Sequence, residues 1–254
     1  IDSRIWHPAA GIRWPKGGVG VDVYYSSSAL FDALGLSEID RARFDQKDDS
    51  IRLGEANGRL NVLVSDATLS SDRLRDFVAS HEAFHLAAQY YGMRIPVGII
   101  SAVGQEDEVA VDGFWREVGD QSSRALREQN EVDCTKLLAL YSSLSPADKK
   151  YVLSKAFWEW PAEYYSRRLA FGDDEQGYLR LRAAIPGGGQ LYVAGSAALF
   201  LVDKKHGRDR GWQYQISSGT NPVDIFLGSA GCKVIGVQEA SFPVSKVSML
   251  EGID

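Results

Sequence analysis

The fold of this chain depends first on Arg73–Tyr91, RLRDFVASHEAFHLAAQYY, which carries His81-Glu82-Ala83-Phe84-His85 at its centre. The apolar residues of this segment recur with the spacing of an α-helix. Residues four apart in a helix lie one turn above each other on the same face. His81 and His85 therefore point toward a common partner, while Glu82 projects roughly 100° round the helix.

Two neutral imidazoles one turn apart are a typical zinc-binding pair, and a neighbouring carboxylate can accept a proton from a water that the metal holds. The chain contains only four histidines, so the H-E-x-x-H spacing is a specific signal. The alternative is a helix whose histidines face the core or solvent, and buried imidazoles without partners are costly. The spacing therefore predicts a zinc site at His81 and His85, with Glu82 as the proton acceptor.

A catalytic zinc site needs three protein ligands and an open position. Neither cysteine lies in a metal-binding motif, and His7 and His206 have no partner at ligand spacing, which leaves a carboxylate as the expected third ligand. Glu159 and Glu163 lie four residues apart in a predicted helix at 146–171, so they share one helix face. One of them can bind zinc while the other hydrogen-bonds a ligand histidine.

HEAFH followed on a later helix by E-W-P-A-E resembles the gluzincin zinc metallopeptidases, and the E-x-x-A-E form is also similar to the catalytic domains of lethal-factor-type toxin peptidases. The resemblance implies that His81, His85 and Glu159 bind zinc. It also implies that Glu82 is the general base and that Glu163 hydrogen-bonds a ligand histidine, with Glu163 remaining the alternative third ligand. The implied fold is α+β and zincin-like: a small twisted sheet and the HExxH helix in one lobe, and a mainly helical second lobe.

The oxyanion that forms during peptide hydrolysis needs a further hydrogen-bond donor, usually a tyrosine or histidine. Tyr192, after the glycine-rich break at 187–189, is the first candidate for this catalytic role. Tyr151 and His206 are the alternatives, and His206 also fits the end of a helix, where a cation is stabilised by the helix dipole.

Local patterns predict further elements, which are strands at 19–25 and 60–65 and helices at 26–36, 107–130, 131–144, 146–171, 173–184 and 190–205. Residues 40–52 are predicted to be a loop or a short helix. Pro161 is expected to kink or divide its helix. The strand at 60–65 is either an edge strand that pairs with an extended substrate or an interior strand.

No internal repeat or low-complexity linker divides the chain, which predicts a single domain over 1–254. Its amino-terminal lobe is expected at about 1–100 and its helical lobe at about 101–254. With 44% hydrophobic and 24% charged residues, the composition is typical of a globular protein. The net charge of −6, with both signs interspersed, disfavours nucleic acid as a partner. No segment approaches the roughly 18–20 apolar residues of a membrane span.

Cys134 and Cys232 either form one disulfide in an oxidising compartment or remain two free thiols, and the sequence leaves both open. The chain begins with Ile1 and shows no signal-peptide pattern, so we interpret it as processed or trimmed. Its compartment stays open, with a secreted or periplasmic location slightly favoured over a cytoplasmic one.

Together these patterns predict zinc-dependent hydrolysis of peptide bonds, with a peptide or protein as the substrate. Two alternatives remain, a catalytically silent zincin-fold binding or scaffold protein and a zinc hydrolase of a non-peptide amide. The presence of Glu82 disfavours the silent protein, because loss of the general base is the simplest route to inactivity.

Overall fold

The computed structural model describes residues 1–2, 4–8, 18–25, 27–35, 51–56, 58–64, 72–96, 107–172, 174, 189–206 and 211–232. Its elements are, in order, β1 (Val21–Tyr24), α1 (Ser27–Leu34), β2 (Ile51–Ala56), β3 (Arg59–Val64), α2 (Asp72–Phe84), a π-helical turn (His85–Gln89), α3 (Tyr90–Gly92), α4 (Glu108–Glu128), α5 (Cys134–Ser143), α6 (Pro146–Phe171), α7 (Gln190–His206), α8 (Gly211–Ser217) and α9 (Pro222–Ala230). Helices dominate and the strands form one sheet, so the fold is an α+β mixture.

The sheet has the strand order β1-β3-β2. β1 runs parallel to β3, with Val21 opposite Leu60, and β2 runs antiparallel to β3, with Ile51 opposite Val64. Gly58, in the connection between β2 and β3, has a φ of 70°, which glycine adopts without strain. Within the described residues β3 is therefore the interior strand, and the edge-strand alternative for 60–65 is wrong. β2 was not predicted from the sequence.

Most of the described helices follow the local patterns. α1, α4 and α7 begin and end near the predicted residues. The helix predicted at 73–91 is divided into α2, the π-helical turn and α3, and α5 begins later than predicted because Asp133 caps it. α6 was expected to kink or break at Pro161, but it is not divided there. α8 and α9 were not predicted. The predicted helix at 173–184 and most of the segment 40–52 lie outside the described residues.

α2 lies between the sheet and the other helices. On the sheet side, Ala79, Ala83 and Leu86 pack against Val62 and Val64 of β3. On the opposite side, Phe84 and Ala88 join the larger apolar core, in which Phe157 and Trp160 of α6 are completely buried. Burying a side chain such as Phe84 contributes about 1.5–3 kcal/mol. Packing on both sides fixes the rotation of α2 and therefore the direction of its histidines.

The amino-terminal segment is part of this core. Trp6 is completely buried, and its ring makes edge contacts with Phe84, Tyr164 and Trp212. Its indole N–H donates a hydrogen bond to Ser217 of α8, 3.1 Å away. The segment before β1 therefore links the end of α2 to the carboxy-terminal helices.

Cys134 and Cys232 form a disulfide, which decides between the two alternatives that the sequence left open. The bond joins the first residue of α5 to the residue that follows Gly231 after α9, across a sequence separation of 98 residues. By loop-closure entropy, a crosslink of this length stabilises the folded chain by about 4–5 kcal/mol. Among the described helices, none is long and apolar enough to cross a membrane.

Candidate metal centre

α2 carries His81 and Glu82, the π-helical turn carries His85, and both histidines contact Glu159 of α6. His81 is buried, and Glu82 and His85 are half-buried. The two imidazole rings have their centroids 4.8 Å apart, with an angle of 77° between their planes. The helical spacing predicted from the sequence therefore places both rings at one point. A π-helical turn beginning at His85 is a feature that often accompanies functional sites.

α6 brings Glu159 to the same point. Ser145 caps this helix and Pro146 occupies its first turn, which starts it in a defined register. The Oε2 atom of Glu159 lies 3.2 Å from Nε2 of His81 and 3.6 Å from Nε2 of His85. The potential ligand atoms of these three residues all lie within 4.8 Å of one another. Two imidazoles and a carboxylate therefore converge, as the sequence predicted.

The Nδ1 atoms of both histidines face oxygen atoms on the opposite side of the rings. Oε2 of Glu163 lies 3.2 Å from Nδ1 of His81, and Oε1 of Gln89 lies 2.5 Å from Nδ1 of His85. An oxygen acceptor at Nδ1 favours the tautomer with its proton on Nδ1. In the neutral form of each ring, Nε2 is then the nitrogen without a proton, and it faces Glu159. The geometry places Glu159, rather than Glu163, beside the two Nε2 atoms.

Glu163 also forms an ion pair one turn along its own helix. Its Oε1 atom accepts hydrogen bonds from Nε and Nη2 of Arg167, each 2.7 Å long, and both side chains are almost completely buried. Burial alone would raise the pKa of Glu163, but the charge of Arg167 and the contact with His81 hold that pKa below its usual range. Glu163 is therefore an anion that Arg167 and His81 share.

The carboxylates make this cluster attractive to positive charge. Burial lowers the pKa of His81, but the hydrogen bonds and charges of Glu159 and Glu163 outweigh it and raise the pKa to about 10. Burial would likewise raise the pKa of Glu159, yet its contacts with His81 and His85 hold it well below the usual range. The site therefore favours a proton on His81 or a cation at the Nε2 atoms.

Tyr192 is a candidate oxyanion donor whose ring contacts one of the histidines. Its ring contacts His81 edge to face, with the centroids 5.7 Å apart. Burial, followed by the charges of Glu159, Glu163 and Glu82, raises the pKa of Tyr192 far above its ordinary value. The hydroxyl therefore stays protonated and can donate a hydrogen bond.

Tyr151 and His206 are the two alternative oxyanion donors. Burial and the charges of Asp112 and Glu159 raise the pKa of Tyr151. His206 ends α7 and is exposed, with its Nε2 atom 2.9 Å from Oγ of Ser229. His206 does not belong to the cluster of ligand atoms found among the described residues.

Gln89 and Arg167 were missed in the sequence. Both lie four residues beyond a residue of the site, since Gln89 follows His85 and Arg167 follows Glu163. The same helical spacing that identified the histidines could have identified these two residues. Their polar character on an otherwise buried helix face was the available signal.

No family model matches this chain, and neither a curated protein nor a solved structure matches it significantly. The side chains of the site itself therefore provide the evidence for function. Within the described residues, His81, His85 and Glu159 are the group that could hold a metal ion.

Proposed function

We propose that the protein is a zinc-dependent peptidase with a zincin-like fold, in which His81, His85 and Glu159 bind the metal. The observation that carries the proposal is the convergence of these three side chains from two helices, next to Glu82. The position of Glu163 behind His81 supports Glu159 as the third ligand.

The donor set fits zinc in its chemistry and its dimensions. Two imidazole nitrogens and one carboxylate oxygen are typical ligands of catalytic zinc. Atoms bound tetrahedrally at about 2.0–2.1 Å from one ion lie roughly 3.3–3.4 Å apart. The contacts from Oε2 of Glu159 to His81 and His85 measure 3.2 and 3.6 Å. The two contacts made by Glu159 are therefore close to the spacing of a tetrahedral ligand set, and all the potential ligand atoms lie within 4.8 Å of one another.

The arrangement of the elements supports the zincin-like part of the proposal. The small sheet packs on one side of α2, and α6, which carries Glu159, packs on the other. The helix with the two histidines thus lies between the sheet and the helical part of the chain. This is the arrangement that the resemblance of HEAFH and E-W-P-A-E to gluzincins implies.

The roles of the residues follow from their positions. A zinc ion bound by His81, His85 and Glu159 would polarise the scissile carbonyl and lower the pKa of an attacking water. Glu82, adjacent to His81 in the chain, accepts the proton of the attacking water and passes it to the leaving amine. Tyr192 keeps its proton and donates a hydrogen bond to the oxyanion.

The first experiment is elemental analysis of the purified protein together with hydrolysis of casein and peptide libraries. We expect about one zinc per chain and cleavage of peptide bonds. Glu82→Gln should retain the metal while turnover falls by about 10²–10⁴-fold, the usual contribution of a general base. Glu131→Gln, which changes an exposed glutamate on the connection before α5, is the matched control and should behave as the wild type.

Each other outcome contradicts a specific part of the proposal. Undiminished hydrolysis by Glu82→Gln would remove Glu82 from the role of base. A wild type that binds no zinc after reconstitution would contradict the metal site. Zinc binding with cleavage of small amides but not of peptides would identify the non-peptide hydrolase, and zinc binding without any hydrolysis would identify a binding protein.

A further inference from the structure

Gln89 makes a complete set of hydrogen bonds although it is completely buried. Its Oε1 atom lies 2.5 Å from Nδ1 of His85. Its Nε2 atom donates to the carbonyl oxygens of Phe157 and Trp158, at 3.0 and 2.7 Å. One amide therefore connects a candidate ligand on the π-helical turn with two consecutive carbonyls of α6.

The direction of these bonds is determined by the chemistry of the partners. Carbonyl oxygens only accept hydrogen bonds, so both hydrogens of the Gln89 amide nitrogen are used on α6. The amide cannot be reversed, because its oxygen would then face two carbonyl oxygens. The Gln89 oxygen must accept from His85, and His85 must carry its proton on Nδ1. The Nε2 lone pair of His85 is consequently left for a metal.

Pro161 explains why an acceptor on α6 is open to Gln89. In an α-helix the carbonyl of residue 157 accepts from the N–H of residue 161. Pro161 has no N–H, so the carbonyl of Phe157 lacks the donor that the regular i to i+4 pattern would supply. The Gln89 amide supplies the missing donor. A side chain from another helix therefore compensates for the proline that was expected to kink or divide α6.

We propose that Gln89 and Pro161 together position the candidate metal ligands: Gln89 sets the tautomer of His85 and ties it to the turn of α6 that precedes Glu159. Phe157 and Trp158 are the two residues immediately before Glu159 in the chain, so their carbonyls place its turn relative to His85. Gln89 acts through His85 and is a positioning residue. The inference rests on the proposed metal site.

The test is the zinc affinity of Gln89→Met, measured by competition with a chelator. Methionine has a similar length and volume but cannot make the three hydrogen bonds. We expect the affinity to fall by about 10–100-fold, the usual effect of losing a residue that orients a metal ligand.

Gln121→Met is the matched control. Gln121 is also buried, donating to Oε1 of Glu117 and accepting from the N–H of Asp133, but its partners are not in the site. Its substitution should leave the zinc affinity unchanged. An equal fall in both variants would overturn the inference, because general loosening of the core would then explain it.

A spectroscopic measurement separates positioning from packing. In zinc-loaded protein with ¹⁵N-labelled histidine, the Nδ1 protons of His81 and His85 report their acceptors. Gln89→Met should shift or exchange-broaden the His85 signal and leave the His81 signal, whose acceptor is Glu163, in place. Unchanged signals from both histidines would overturn the role of Gln89.

Pro161→Ala tests the proposed role of the proline. This test does not depend on the stability of Gln89→Met. Alanine is the better helix former, and its N–H competes with Gln89 for the carbonyl of Phe157. We expect a weaker zinc affinity than in the wild type, with a smaller loss than in Gln89→Met. An unchanged zinc affinity would show that Pro161 does not help to position the candidate metal ligands. Wild-type protein that binds no zinc would instead refute the metal site on which the inference rests.

Discussion

His81 and His85 both direct Nε2 toward Glu159, but different groups hold their Nδ1 atoms. Behind His81 lie Glu163 and Arg167, an ion pair whose atoms approach to 2.7 Å in the interior of the protein. Behind His85 lies the neutral amide of Gln89. One histidine is therefore supported by charge and the other by the direction of hydrogen bonds.

The two candidate ligand histidines are therefore held in place by different physical interactions. The carboxylates beside His81 raise its pKa to about 10, against the effect of burial, so its affinity for any cation depends on electrostatics. The Gln89 amide adds no charge, so it orients His85 without adding another anion to the site. Changes of charge should consequently act mainly through His81, and changes of hydrogen-bond geometry mainly through His85.

The largest expected effect comes from Glu159→Ala, which removes the carboxylate that faces Nε2 of both His81 and His85. The zinc affinity should fall by more than 100-fold, beyond the range for residues that only orient a ligand. Metal analysis and chelator competition measure it. Glu163→Ala should bind zinc more weakly than the wild type but more tightly than Glu159→Ala. The reverse order would make Glu163 the third ligand.

Tyr192→Phe tests the tyrosine whose ring contacts His81. The ring remains in place, so zinc affinity should be unchanged, whereas loss of the hydroxyl should lower kcat by about 100-fold. Steady-state kinetics on a peptide substrate measure the effect. Tyr214→Phe, at an exposed position on α8, is the control. Equal kcat values for Tyr192→Phe and the wild type would leave the oxyanion to another donor.

Glu163→Gln isolates the contribution of charge at His81, because glutamine keeps an oxygen for Nδ1 of His81 but removes the charge. We expect zinc affinity to fall by about 10–100-fold in a competition assay. The control is Glu117→Gln. This substitution alters a buried carboxylate that forms an ion pair with Lys136 rather than a contact with a histidine. If the two variants bind zinc equally well, the hydrogen bond alone supports His81.

Per pH unit, the dependence of zinc affinity on pH is the smallest of these effects. A protonated imidazole cannot bind a metal, and the raised pKa of His81 means that binding must displace a proton at neutral pH. Raising the pH removes this competitor, so affinity should increase by about tenfold per unit between roughly pH 6 and 8. Calorimetry in buffers of different ionisation enthalpy should detect the released proton. A flat profile would show that His81 binds without losing one.

Much of the site could be predicted from local pattern. The spacing of His81 and His85, the carboxylates at Glu159 and Glu163, and the strand at 60–65 all depend on periodicities within a few residues. The strand β2, IRLGEA, was missed because it lacks a clear alternation and forms by pairing with β3. Pro161 predicted a kink or a division of α6, but the helix is not divided, since the donor that replaces the missing N–H of Pro161 comes from another helix.

Local spacing along the chain is enough to predict which residue types can meet on which helix face, because 3.6 residues per turn is a property of the local backbone. The packing of the helices is needed to establish which carboxylate faces Nε2 and which faces Nδ1, that Gln89 reaches Phe157, and that Cys134 pairs with Cys232. Those relations join residues 68 or more positions apart in the chain. They depend on how α2 packs against α6, and packing distances between helices are not encoded in the periodicity of either one.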